Sequence, residues 1–242
     1  MAAAKQAALC ATCLVDQVLP EIGVATVQLL RRAGWAVEFP QAQTCCGQPF
    51  FNSGFKQEAV DLAKRVVEIF EPYAAVVLPS GSCTAMIRVE YPHLLEPWPE
   101  WRERVLALAA KTFELSQFLT HQARWQPAPS AAAPNAAYHD SCHMCRLLQV
   151  RQEPRHLLRA VGCALGEMSE ADRCCGFGGL FSLRLPEISN AMTAEKLRQA
   201  DQTGAAVLVT ADPGCLLQIR GLAAASGLRV EHLATVLEEA TR

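Results

Sequence analysis

Thr44-Cys45-Cys46-Gly47 returns further along the chain as Arg173-Cys174-Cys175-Gly176. Adjacent cysteines cannot place both side chains on one face of a strand, because neighbouring side chains point to opposite faces. Each pair therefore belongs to a turn or loop. The glycine that follows permits unusual backbone angles or a close backbone approach, and both suit a loop wrapped round a bulky inorganic group.

Working outward, one cysteine precedes each pair and another follows it. Cys13 and Cys142 stand 129 positions apart, and so do Cys45 and Cys174, and Cys46 and Cys175. Cys83 and Cys215 stand 132 apart, a difference that a short insertion absorbs. A fixed offset between chemically equivalent positions is the mark of an internal repeat, so the chain reads as two related halves.

The stretches between the cysteines alternate between strand and helix patterns. Residues 6–12 read as a short buried strand, and Ile22, Val27, Leu30 and Ala33 give a helical face ended by Gly34. Trp35 to Phe39 reads as a strand, residues 57–70 as a helix, 74–79 as a strand apolar on both faces, and 101–120 as helix. In the second half Ala136-Ala137-Tyr138 reads as a strand, residues 187–202 as a helix, and 205–210 as a strand running into Asp212 and Cys215. The fold class expected is α/β, with two pseudo-repeated lobes whose short parallel sheets are flanked by helices. The Pro-, Ala- and Ser-rich stretch 126–137 is the expected linker between an amino-terminal domain at 1–125 and a carboxy-terminal domain at 138–242.

Composition narrows the function. The 242 residues are 51% apolar with a formal charge of −2, and Lys and Arg are scattered, so no basic stripe offers itself to nucleic acid. Apolar runs such as Val76-Val77-Leu78 fall well short of the roughly 20 residues of a spanning helix, which leaves membrane contact at most peripheral. The amino terminus is too short and cysteine-rich for a secretory signal, and a cytoplasmic location is expected. In that compartment eleven cysteines argue for metal ligation or redox chemistry over a disulfide framework.

Four thiolates per half can hold a [4Fe–4S] cluster, and tetrahedral zinc would use the same number of the same soft ligands. Structural zinc usually recruits C-x₂₋₄-C pairs; one single, one contiguous pair and one distant cysteine favour iron–sulfur. The candidate cofactor and metal ligands are Cys13, Cys45, Cys46 and Cys83 in the first half, and Cys142, Cys174, Cys175 and Cys215 in the second. No side chain identifies itself as catalytic.

The other candidates are weaker. Cys163 has no counterpart and reads as core. Cys10 and Cys145 each form C-x₂-C with a candidate ligand, but one precedes its partner and the other follows, so they do not superpose under the offset. His139 and His143 flank Cys142 and could ligate or tune a cluster, although structural roles are favoured. His232 reads as a helix boundary. Lys56, Arg173 and Arg184 could offset a negative cluster, with solvated charge an equal account. Ser80 and Asp212 read as turn or cap residues.

Thr12-Cys13, Gln43 to Pro49, Asn52-Ser53-Gly54 and Ser80-Gly81-Ser82-Cys83, with Tyr138-His139, Ser141-Cys142, Cys174 to Gly179 and Cys215-Leu216-Leu217, cover almost the whole chain. In these marks the chain resembles the CCG-containing cysteine-rich domain family, most nearly its lactate-utilization branch. More distant likenesses are the heterodisulfide reductase B subunit and the iron–sulfur subunit of glycolate oxidase. The resemblance implies an iron–sulfur electron-transfer subunit of an L-lactate-oxidising complex, carrying two [4Fe–4S] clusters and partnered by further iron–sulfur subunits. A heterodisulfide- or thiol-reducing catalytic subunit, or a metal-stabilised scaffold, is the alternative. Heterodisulfide reductase B ends each half with C-x₂-C, which supports noncubane clusters; here Ser80 and Asp212 occupy the earlier positions, and the chain departs from that five-cysteine pattern.

Overall fold

A run that is apolar at every position has to be covered on both faces, and Val76-Val77-Leu78 is buried throughout. The computed structural model, which describes residues 5–224 and 227–242, places this run in the interior of a parallel sheet. Strands β1 (Gln6–Leu9), β2 (Ala36–Glu38), β3 (Val76–Leu78) and β4 (Thr112–Glu114) lie in the order β2-β1-β3-β4. In the second half β5 (Ala136–His139), β6 (Leu165–Gly166), β7 (Val207–Thr210) and β8 (Arg229–His232) lie in the order β6-β5-β7-β8. All pairings are parallel. The chain divides into two compact units, Met1–Arg124 and Trp125–Arg242.

The repeat extends to the hydrogen-bonding register. Ala8 pairs with Val76 in the first sheet and Ala137 with Leu208 in the second. These pairs are related by the same offsets of 129 and 132 that relate the cysteines. The two α/β halves with parallel sheets are thus as expected from the sequence.

Three strands were not. The expected helix over 101–120 stops at Ala110, and Thr112–Glu114 becomes β4 before helical structure resumes at Leu115. Glu114 turns the chain there: its carboxylate accepts the backbone N–H groups of Ser116 and Gln117, capping the next turn. β6 has only two residues, too few to show a period. β8 alternates exposed Arg229 with buried Val230 and His232, and its length of four residues gives a weak signal beside the helix it feeds. His232 Nδ1 accepts the Ala234 N–H at 3.1 Å and caps that helix, Leu233–Ala240. Ala136 and Ala137, read both as the start of a strand and as the end of the linker, are strand residues, and Ser130 N–H donates to Val161 O within the second unit.

Helices cover both sheets with the faces their spacing dictates. Pro20–Arg32 buries Ile22, Ala25, Leu29 and Leu30, and Lys56–Phe70 buries Ala59, Ala63, Val66, Val67 and Phe70. Pro186–Asp201 differs, since it buries Ser189, Thr193, Lys196 and Gln199 along one face. Buried polar groups need partners, and those of this helix lie in the second cysteine loop.

Candidate metal centres

In the first unit three loops leave the carboxyl ends of neighbouring strands, the usual place for a ligand site in an open parallel sheet. β1 passes through Cys10 to Thr12, and Cys13 opens the helix Cys13–Gln17. The loop after β2 carries Cys45, Cys46 and Gly47, the last at φ 82°, and enters the helix Gln48–Asn52. β3 leads to Ser80, whose hydroxyl accepts the Cys83 N–H at 3.3 Å and caps the helix Gly81–Ala85.

Side chains fasten these loops to one another. Gln43 accepts the Ala11 N–H at 2.8 Å and donates to Leu9 O at 3.3 Å and Pro40 O at 3.1 Å. Gln48 donates to Ser82 O at 3.1 Å, and buried Tyr91 donates its hydroxyl to Cys46 O at 2.7 Å. The sulfurs are thereby gathered: Cys13 Sγ lies 3.6 Å from Cys45 Sγ, and Cys46 Sγ 3.3 Å from Cys83 Sγ. Both separations far exceed a disulfide bond, and all eleven cysteines are free.

The second unit repeats the scheme with different fasteners. Cys142 follows β5, Cys174 and Cys175 precede Gly176 at φ 94°, and Cys215 lies in the helix Pro213–Ala223, capped by Asp212 through the Gly214 N–H at 3.1 Å. Cys175 and Cys215 sulfurs are 3.2 Å apart, and Cys142 hydrogen-bonds to Cys174. Where Tyr91 holds Cys46 O, Thr193 holds Cys175 O at 2.7 Å, while Ser189 donates to Gly176 O at 2.8 Å. A Cβ at Gly176 would lie 2.4 Å from Ser189 O, so the helix sits directly against the loop.

Each centre holds one thiol well below its ordinary pKa. For Cys45 the main cause is the hydrogen bond from Cys13, followed by that from Cys46, with the Gly47 N–H 3.4 Å from its sulfur. For Cys174 the bonds come from Cys142, Cys175 and the Gly176 N–H, also at 3.4 Å. The donors Cys13 and Cys142 are raised for the same reason. Such sets collect negative charge, and a bound cation would relieve it.

The structure therefore brings together all four candidate cysteines of each half. Cys163 is apart from both sets and buried, and that burial raises its thiol pKa. Cys145 faces Cys142 O at 3.7 Å, and Cys10 is buried close enough to Cys83 and Cys45 to feel their charge. Arg173 pairs with Glu170 at 3.1 Å and Glu195 at 3.6 Å, and Lys56 and Arg184 are exposed.

Sequence reasoning missed Lys196, which is fully buried and donates to Glu170 O at 2.6 Å and Ala171 O at 3.2 Å. Burial lowers its pKa and the Cys175 charge opposes that. Its place on a polar face at Ser189, Thr193 and Lys196 was the available signal. A second omission is the buried pair Asp140–Arg155, with contacts of 2.7 and 2.9 Å, which braces the loop before Cys142.

Thiolate-bound metal fits these residues. The thiols converge without disulfides, backbone N–H groups point at sulfur, and the buried Thr12 hydroxyl beside Cys13 has no hydrogen-bond partner among the described residues. Within the second unit His139, Cys175 and Cys215 form a group whose donor atoms lie within 4.8 Å of one another, compact enough for a metal ion.

Comparison with known proteins agrees with this geometry. The profile of the CCG cysteine-rich domain matches residues 7–88 and 136–220, one copy per unit. Lactate utilization protein A of Halalkalibacterium halodurans is 47% identical over 234 residues, 96% of this chain and 96% of its own. Its namesake in Geobacillus kaustophilus is 46% identical over 229 residues, 93% and 95% of the two chains. A hypothetical protein from Helicobacter pylori, known from a crystal structure, shares the fold with a TM-score of 0.72 at 12% identity; the match covers 98% of this chain and 49% of that one, so this chain spans about half its length. The chain belongs to the CCG cysteine-rich domain family, among the proteins named lactate utilization protein A.

Proposed function

We propose that the chain is an iron–sulfur electron-transfer subunit of an L-lactate-oxidising complex. Cys13, Cys45, Cys46 and Cys83 hold one [4Fe–4S] cluster, and Cys142, Cys174, Cys175 and Cys215 hold a second. The observation that carries this reading is the duplicated set of four free thiols at the carboxyl ends of two equivalent parallel sheets. Lactate enters through the names of the relatives, and the site itself contains nothing that selects a hydroxy acid.

Bound to thiolates, such clusters supply one-electron transfer. The chain supplies the surroundings. Backbone N–H groups of Gly47, Gly176 and Phe177 at 3.4 to 3.5 Å from sulfur stabilise thiolate charge. Tyr91 and Thr193 hold the carbonyls of the cysteine pairs, and burial of Cys46, Cys83, Cys175 and Cys215 keeps water from those sulfurs.

The electrons pass to or from further iron–sulfur subunits, which are the proposed partners. No helix among the described residues is long and apolar enough to cross a membrane, and a cytoplasmic site with at most peripheral membrane contact accords with that. The positions that a C-x₂-C would fill, Ser80 and Asp212, instead cap helices, which weighs against the heterodisulfide-reducing reading.

The test is anaerobic isolation of the native complex with iron, acid-labile sulfide and flavin measured together, followed by addition of lactate. Two clusters per chain, reduced when lactate is supplied, are expected. Zinc in place of iron, or clusters that lactate leaves oxidised while a disulfide substrate oxidises the reduced form, would overturn the proposal.

A further inference from the structure

The 129-residue offset that relates Cys13 to Cys142 relates Cys10 to His139. Cys10-x₂-Cys13 and His139-x₂-Cys142 are therefore equivalent, and the partner of Cys10 is a histidine. Strand register supports the equivalence, because β1 and β5 pair with β3 and β7 under the same offsets. Both side chains are buried at the carboxyl end of the first strand of their unit, with exposures of 1% for Cys10 and 0% for His139.

The tautomer of His139 follows from its neighbours. Nδ1 lies 3.2 Å from the Ala171 carbonyl, which can only accept, so Nδ1 carries the proton in the neutral ring. The same carbonyl is fixed by Lys196 Nζ at 3.2 Å. Nε2 is left with a bare lone pair, buried and without a hydrogen-bond partner among the described residues. A ring nitrogen of this histidine lies within 4.8 Å of Cys175 and Cys215 sulfurs. With Nδ1 engaged at the Ala171 carbonyl, Nε2 is the ring nitrogen left to bind a cation beside those sulfurs. Metal-ligating histidines characteristically donate their second ring N–H to a carbonyl or carboxylate, which is the arrangement at Ala171.

We infer that His139 Nε2 is a nitrogen ligand of the second metal centre, bonded to the metal atom held by Cys175 or Cys215, so that this centre has five protein donors. The inference rests on the iron–sulfur reading above and deepens it. His143, whose Nδ1 is 3.6 Å from Cys142 Sγ, has no such role, because it lies half-exposed outside the compact His–Cys–Cys group.

The test uses the full chain, isolated anaerobically, with histidine selectively labelled with ¹⁵N and the clusters reduced to a paramagnetic state. Pulsed electron paramagnetic resonance should show a strong histidine-nitrogen coupling that changes with the isotope, is lost in His139→Gln and survives in His143→Gln. The isotope comparison in the unsubstituted chain needs no variant to fold. Iron-loaded protein with no histidine coupling, with only the weak coupling of an N–H···S contact, or with a coupling that persists in His139→Gln would overturn the assignment. Absence of iron and sulfide from the anaerobic protein would instead overturn the cluster reading on which it stands.

Discussion

Replacing the glycine after each cysteine pair by alanine should affect the two units unequally. Both glycines have positive φ, 82° at Gly47 and 94° at Gly176, and an L-residue in that region costs about 1–2 kcal/mol. The surroundings differ. The nearest atom to a Cβ at Gly47 is Leu62 Cβ at 3.4 Å, an ordinary contact, whereas at Gly176 it is Ser189 O at 2.4 Å. That oxygen belongs to helix backbone and cannot rotate away, so relief requires the helix and loop to part, at about 1–3 kcal/mol for overpacking. Gly47→Ala should then destabilise its unit by about 1–2 kcal/mol and Gly176→Ala by about 2–5 kcal/mol. Metal-free protein unfolded in urea provides the assay. Trp35, Trp98 and Trp101 report on the first unit and far-ultraviolet circular dichroism on both. Equal losses from the two substitutions, or a smaller one from Gly176→Ala, would refute the argument that packing against Ser189 rather than backbone angle alone fixes this glycine.

Cys13→Ser should lower iron and sulfide by the content of one cluster while Cys163→Ser leaves both unchanged, measured per folded chain; equal contents in the two variants would contradict the ligand sets. Arg155→Met leaves Asp140 buried without its bidentate partner and should cost about 3–5 kcal/mol in denaturant unfolding. Adding Asp140→Leu should recover part of that loss, and a double variant no more stable than the single one would show that the charge is not the cause. Glu195 is held down to about 2 by its hydrogen bonds with Arg198 and Gln199. Because its folded pKa lies below the ordinary value of 4.5, its contribution is complete above 4.5 and is lost as pH falls toward 2. Glu195→Gln should therefore make the acid limb of a stability profile shallower between those values, most clearly at low salt, and an unchanged limb would remove this pair from the account.

The cysteine spacing was sufficient to reveal the duplication, because ligand positions tolerate little drift, and buried runs such as Val76 to Leu78 announced the central strands. Of the four edge strands only Ala36–Glu38 was legible, and the other three stayed hidden for the opposite reason. Thr112–Glu114, Leu165–Gly166 and Arg229–His232 are short, carry polar or glycine residues, and owe their conformation to a neighbour in the sheet rather than to local preference. The same limit applies to the sites. That Ser80 and Asp212 are caps follows from their position before a helix, while Lys196 and the Asp140–Arg155 pair act across the fold. Cys10 and Cys145 share a residue type but not a position in the repeat, whereas His139 stands at the place of Cys10 under the 129-residue offset.

Each sheet draws its strands from one uninterrupted stretch of chain, and the first is complete at Glu114. Synthesis runs from the amino terminus at about 5–20 residues per second, so the 118 residues from Trp125 to Arg242 take about 6–24 s to follow. During that interval Cys13, Cys45, Cys46 and Cys83 can already converge, while the later set stays incomplete until Cys215 is made. Delivery of metal to the nascent chain would therefore be sequential, and the earlier set would face oxidants alone for seconds.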